Sequence, residues 1–217
     1  MTYIDLVNDV LVRLREDEVV NVTDNSYSKL IGKFVNDAKR QVEDAWNWNA
    51  LRSTLTVTTS ADVFNYELNG TESRFRVLDV VNDTSNFFME QRTSSFFNDK
   101  FLNSTGAVET GDPLYYSFNG VSSDGDTLVD VYPIPNGVYS LRFNMVAPQA
   151  ALSESADRLL VPSEPVILGA YARAIIERGE DGGLSSSEAS ALASNSLSDA
   201  IALDANHFPS ELIWNEI

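Results

Sequence analysis

Cysteine is absent from the 217 residues, so no disulfide can staple the fold and no thiolate can hold a metal or attack a substrate. Histidine occurs once, at His207, in a tail beside Phe208 and Pro209 with no nucleophile-elbow sequence anywhere for it to serve. Basic side chains are scarce, 15 against 32 acidic ones, and the formal charge of −17 opposes non-specific attraction to phosphate backbones or anionic lipid. No apolar run approaches the ~18 residues that a spanning helix needs. The start "MTYIDLVNDVLVRLREDE" lacks the basic and apolar regions of a signal peptide, so the expectation is a chain made in the cytoplasm and not inserted in a membrane. Sequons such as Asn21-Val22-Thr23 and Asn69-Gly70-Thr71 then carry no meaning. Phosphate-cradling loops are missing too, because "RGEDGGLSSSE" sets acids where such a loop needs backbone donors and a lysine.

What is present is an ordinary globular composition, 43% apolar, enough for one well-cored domain or one domain with a sizeable insertion. Ile4, Val7, Leu11 and Leu14 recur at spacings of three and four, with Thr2 and Asp5 as a capping pair. After "TDNSYS", the residues Tyr27, Leu30, Ile31, Phe34, Ala38, Val42 and Ala45 form a second, longer stripe. From Ser53 the period changes. Thr54 to Val57 alternates, Val63 to Leu68 and "FRVLDVV" read as extended, and Leu114 to Phe118 leads into an Asn119-Gly120 turn. "TLVDVYPIPNG" carries a strand to a Pro/Gly turn, and Tyr139, Leu141, Phe143 and Met145 share one face of the next. Between these hairpins, "NFFMEQRTSSFFNDKFLNSTG" reads as a loop with one short helix around Ser95 to Phe101.

The helical period returns after Pro148. Ser163 as a cap, Pro165 in the first turn and Gly179 as the stop bracket Val166, Ile167, Ala170, Tyr171, Ala174 and Ile175. Ser185 and Glu188 then open a last helix carrying Ala189, Leu192, Ala193, Leu197, Ala200 and Leu203. The order implies an α+β fold: a four-helix bundle formed by the N- and C-terminal helix pairs, residues 1–52 and 149–205, with an inserted antiparallel β-rich domain at 53–148. Residues 206–217 are left as a C-terminal tail. Trp46 and Trp48, in "DAWNWNALRSTLTV", fall where helix gives way to strand, and the reading is that they fill the structural junction there.

Searches for reaction chemistry end in structural readings. Asp124, Asp126 and Asp130 suggest a Ca²⁺ loop but lack the remaining EF-hand positions, so a polar hairpin is expected. The acids of "REDE" at 15–18 read as a solvated helix end. No catalytic, cofactor-binding or metal-binding residue is assigned, and the expectation is no cofactor and no enzyme. Two features resist so plain an account. The tail places Phe208, Leu212, Ile213, Trp214 and Ile217 beyond the last helix, where they either fold back or meet another chain. Phe87, Phe88, Phe96, Phe97 and Phe101 make an aromatic insert that is either local core or a subunit or tail contact.

Taken in order, "VNDVLVRL", "DAWNWNALRSTLTV", "GDPLYY", "VYPIPNGVYSLRF" and "VPSEPVILGAYARAIIERGED" resemble the head-to-tail adaptor (connector) proteins of short-tailed phages, over nearly the whole chain. The resemblance implies a structural virion protein of the tail neck, joining the portal protein to a tail nozzle or tube protein. It implies a homo-oligomer ring of twelve copies, with the C-terminal segment docked on the portal and DNA passing through the lumen without specific binding. Phe208, Leu212, Ile213, Trp214 and Ile217 become the portal hook. The other class kept open is a phage tail or surface module that recognises a host receptor, or another tail protein, through the aromatic β block.

Overall fold

A computed structural model describes residues 1–70, 74–102, 106–179 and 185–207. The helices are α1 (Tyr3–Arg13), α2 (Ser26–Ala45), α3 (Ser94–Leu102), α4 (Ser163–Arg178) and α5 (Ser186–Ala205). The longer strands are β1 (Arg52–Thr58), β2 (Asn65–Leu68), β3 (Arg76–Asn82), β7 (Tyr115–Val121), β8 (Thr127–Tyr132) and β10 (Ser140–Val146). Two-residue strands complete the set: β4 (Phe87–Phe88), β5 (Glu90–Gln91), β6 (Thr110–Gly111) and β9 (Ile134–Pro135). The chain is mixed α+β and divides into two compact units, one of Met1–Leu51 with Pro148–Ile217, the other of Arg52–Ala147.

In the helical unit, three of the four helices begin with a reciprocal capping box: Thr2 with Asp5, Asn25 with Ser28, and Ser185 with Glu188. Each satisfies amide donors that the first turn leaves orphaned. The fourth, α4, has no side-chain cap; Pro162 occupies the cap position and Ser163 is already helical, so the expected serine cap is not made. Its other end is as expected, with Gly179 in the left-handed conformation (φ 64°) and its N–H on the carbonyls of Ile175 and Ile176. Helix α2 packs on α1 and α4, and α4 packs on α1 and α5. The buried face of α1 is Tyr3, Leu6, Val7, Val10 and Leu11, rotated from the expected stripe, which leaves Ile4 and Leu14 at its edges. On α2, Ile31, Val35, Ala38 and Val42 are buried while Leu30 and Phe34 are half-covered and Ala45 is exposed. Two glycines permit close crossings: a Cβ on Gly32 would lie 2.8 Å from Val22 Cγ1, and one on Gly169 would lie 3.2 Å from Ala38 Cβ.

The segment 148–162 returns the chain to the helices, and polar side chains of α2 receive it. Asn36 works as a strand partner would, its Oδ1 accepting from Leu152 N (2.8 Å) and its Nδ2 donating to Leu152 O (3.0 Å). One and two turns on, Lys39 Nζ donates to Gln149 O (2.6 Å) and Glu43 Oε1 accepts from Gln149 N (3.1 Å), while the two side chains pair at 2.9 Å. Lys39 and Glu43 are 3% and 4% exposed, a fully buried ion pair. The same return segment reaches the N-terminus, where Tyr3 N donates to Asp157 O (2.7 Å) and Leu159 N to Met1 O (3.1 Å).

In the second unit, one sheet has the order β1-β10-β3-β4 and is antiparallel throughout. The other, β2-β8-β7-β5, is antiparallel except where β5 runs parallel to β7, and β6 pairs parallel with β9. These two short parallel ladders depart from the all-antiparallel expectation. The core is shared by both larger sheets: Val80, Leu141, Phe143 and Met145 from one, Leu68, Tyr116, Val129 and Val131 from the other. Asn119-Gly120 is not the hairpin turn. It lies inside β7, where the register with β8 slips between Phe118 and Val121 and Gly120 takes φ 81°. The reversal comes later, closed by Ser122 N on Asp126 O (2.7 Å).

Candidate docking surfaces

Helix α2 stops at Trp46, whose extended backbone (φ −149°, ψ 162°) carries both indoles past the helix end. Trp48 is 1% exposed, and its Nε1 donates to the carbonyl of Val42 at 2.7 Å, one of the acceptors that a helix end leaves without a partner. Trp46 is half-buried and donates from Nε1 to Asp204 Oδ2 at 3.1 Å. The same carboxylate oxygen accepts from Asn49 N at 3.2 Å. Asp204 lies in the last turn of α5, so this carboxylate pins the end of α5 to the end of α2. Both tryptophans thus act within the helical unit, one as a buried plug and the other as a tether.

Helix α5 is the least covered of the helices. Of its twenty residues only Ala189 is buried, and the expected stripe is largely open, with Leu192 at 44% and Leu203 at 69% exposure. Its inner face sets three small side chains, Ser190, Ala193 and Ser194, followed by Leu197, opposite Ala38 of α2 and Gly169 and Ala172 of α4. They leave a groove of about 340 Å³ between the three helices. Arg173 lies along its wall, with Nη1 donating to Gly169 O (2.9 Å) and Nη2 to Gln41 Oε1 (2.8 Å). Phe208, Leu212, Ile213, Trp214 and Ile217, the residues singled out as a portal hook, lie outside the described residues.

The aromatic insert separates into two kinds of residue. Phe97 is buried in α3, and Phe96, Phe97 and Phe101 each meet the Tyr132 ring edge-on, at centroid distances of 5.9 to 6.4 Å. Phe96 also meets Tyr115 at 5.1 Å, and the Arg92 guanidinium lies 5.1 Å from the Tyr115 ring centre. Phe87 is half-buried and packs against the sheet core, whereas Phe88, its neighbour on β4, is 70% exposed. Desolvation, helped by its hydrogen bond to Glu109 Oε2 (2.9 Å) and that group's charge, pushes the Tyr132 phenol up to about 12.

The acidic loop has structural work to do. Asp130 accepts from Asn65 Nδ2 (2.6 Å) and Asn119 Nδ2 (2.8 Å), and Asp126 from Gly70 N (2.9 Å). No cluster of three or more potential metal ligands occurs among the described residues. His207 is exposed, 3.5 Å from Asp204. No helix among the described residues is long and apolar enough to cross a membrane. The sequence reading missed the Asn36, Lys39 and Glu43 stripe. Its signal was present as three polar residues at helical spacing on a face otherwise lined by Val35, Ala38 and Val42.

These elements define a class of protein in which both ends of the chain build one helical unit and a β-rich unit is inserted between them. The chain matches the family model described as SU10 adaptor protein over residues 1–210, and it belongs to that family, in keeping with the resemblance to head-to-tail adaptors. Among curated proteins nothing matches it.

Proposed function

We propose that this chain is a structural connector of a phage virion, joining the portal to the tail, and that it carries no catalytic activity. Family membership over residues 1–210 is the observation that carries the proposal. The four long helices act in it as one bundle, packed side by side with those of neighbouring copies in a ring of twelve. DNA passes through the lumen without specific binding. The formal charge of −17 supports this, because an acidic wall repels phosphate and lets DNA slide. Phe208, Leu212, Ile213, Trp214 and Ile217 serve as the portal hook, supported by their apolar chemistry in a terminal segment. Loops of the β-rich unit serve as the contacts with the next tail protein, with Phe88 the most exposed aromatic available for them.

The test is mass photometry of the protein alone and with its portal. The expected result is a shift from free chain to a portal-bound ring, lost when the residues after Ala205 are deleted from a chain that still folds. A receptor-binding module would instead keep its own monomeric or trimeric state and ignore the portal, and that outcome refutes the connector.

A further inference from the structure

We infer that in the free chain the groove between α2, α4 and α5 holds the chain's own C-terminal segment, residues 208–217. The groove, about 340 Å³, has room for some of the segment's apolar side chains: Ala38, Gly169, Ala172, Ser190, Ala193 and Ser194 keep it open, with larger residues such as Val42 and Leu197 completing its lining. The helix above it is under-covered, and Ile176 of α4, another lining residue, is 60% exposed. The segment "FPSELIWNEI" offers the missing volume in Phe208, Leu212, Ile213, Trp214 and Ile217.

The chain also leaves α5 at the right place. Asp204 is fixed to Trp46 and Asn49, and Asp44 and Ala45, just before Trp46 in sequence, line the outer mouth of the groove together with Asp37, Arg40, Gln41, Arg173 and Leu197. From His207 back to Ser190 is roughly 26 Å along the helix axis at 1.5 Å per residue. Ten extended residues reach roughly 33 Å. Charge agrees with geometry. Arg173 hydrogen-bonds only neutral oxygens among the described residues, and the segment brings Glu211 and Glu216 with no basic residue, so its acids can meet that guanidinium. If the connector reading also holds, this contact keeps the hook folded away until a portal competes for it.

A chain without cysteine allows a direct test in the full-length protein. Ser194→Cys with Ile213→Cys is oxidised at low protein concentration beside a second groove pair, Ala193→Cys with Leu212→Cys. The control is Lys33→Cys with Ile213→Cys, since Lys33 is an exposed α2 residue that does not line the groove. The expected result is an intramolecular disulfide, mapped by peptide mass spectrometry, forming at least about tenfold faster in a groove pair than in the control. Equal rates in all three, or crosslinks only between chains, overturn the inference. Portal binding by the wild-type chain is measured separately, so loss of the connector reading leaves the crosslinking result standing on its own.

Discussion

Removing one member of the Lys39–Glu43 pair should cost far more than removing both. The two side chains are 3% and 4% exposed, meet at 2.9 Å, and together hold the N–H and C=O of Gln149. Glu43 Oε2 has no hydrogen-bond partner, so the carboxylate already sits with part of its solvation unreplaced. In Lys39→Met it would lose its counter-charge as well, and in Glu43→Leu a buried ammonium would be stranded. Each single change is expected to cost about 3–5 kcal/mol. The double variant removes both charges and leaves only the Gln149 backbone groups without partners; Gln149 is half-buried, so about 1–3 kcal/mol is expected. The cycle should therefore show a coupling of about 6 kcal/mol, the two singles together less the double. The assay is urea and thermal unfolding followed by circular dichroism at 222 nm, with the singles melting roughly 10 °C early. A double variant no more stable than the weaker single would refute the reasoning, because the pair would then contribute through packing alone.

Phe97→Ala, at a buried position beneath three rings, should cost about 3–5 kcal/mol, whereas Phe88→Ala, at an exposed one, should stay within about 0.5 kcal/mol; both are read by urea unfolding. Tyr132 supplies the pH prediction. Its folded value of about 12 lies above the ordinary 10.0, so the folded state holds the phenol proton more tightly. The stability this brings is full below pH 10.0 and is lost as pH rises toward about 12. Ultraviolet titration should show a late tyrosinate phase that Tyr132→Phe removes, and a titration unchanged by that substitution would refute it.

The parts of the fold legible in sequence were those governed by a single period or a local cap. The capping pairs Thr2–Asp5 and Ser185–Glu188, the Gly179 stop and the buried alternation of Leu141, Phe143 and Met145 all follow from neighbours in the chain. Where distant pairing decides, local signals misled. Asn119-Gly120 has the composition of a turn, yet β8 continues opposite it and converts it into a bulge. "FF" at 87–88 has no periodicity, yet it forms a short edge strand because β3 offers Val81 and Asn82 as partners. The stripe on α5 was legible in the sequence, but its burial was not. Amphipathic spacing shows which face seeks cover without showing what supplies it.

The polar stripe of α2 shows why such a residue set is easily overlooked and what it does. Asn36 to Glu43 spans seven helical residues, roughly 10.5 Å at 1.5 Å each. Gln149 to Leu152 spans three extended residues, roughly 10 Å at 3.3 Å each. The match lets one helix face grip two peptide units of the returning chain, Leu152 at one end and Gln149 at the other. A slip of one residue would bring other backbone groups to these side chains and strand a buried charge pair, so the stripe fixes register as well as contact. Register at Gln149 carries forward through a short segment to Pro162, the cap position of α4, and so helps bring Gly169 against Ala38, where a Cβ on the glycine would lie 3.2 Å from the alanine's. Apolar burial alone tolerates sliding, because a leucine is satisfied by any apolar neighbour. Directional bonds to a buried ion pair do not, and that is the physical reason to find Asn36, Lys39 and Glu43 where a chain leaves one unit for about a hundred residues and must return in a defined place.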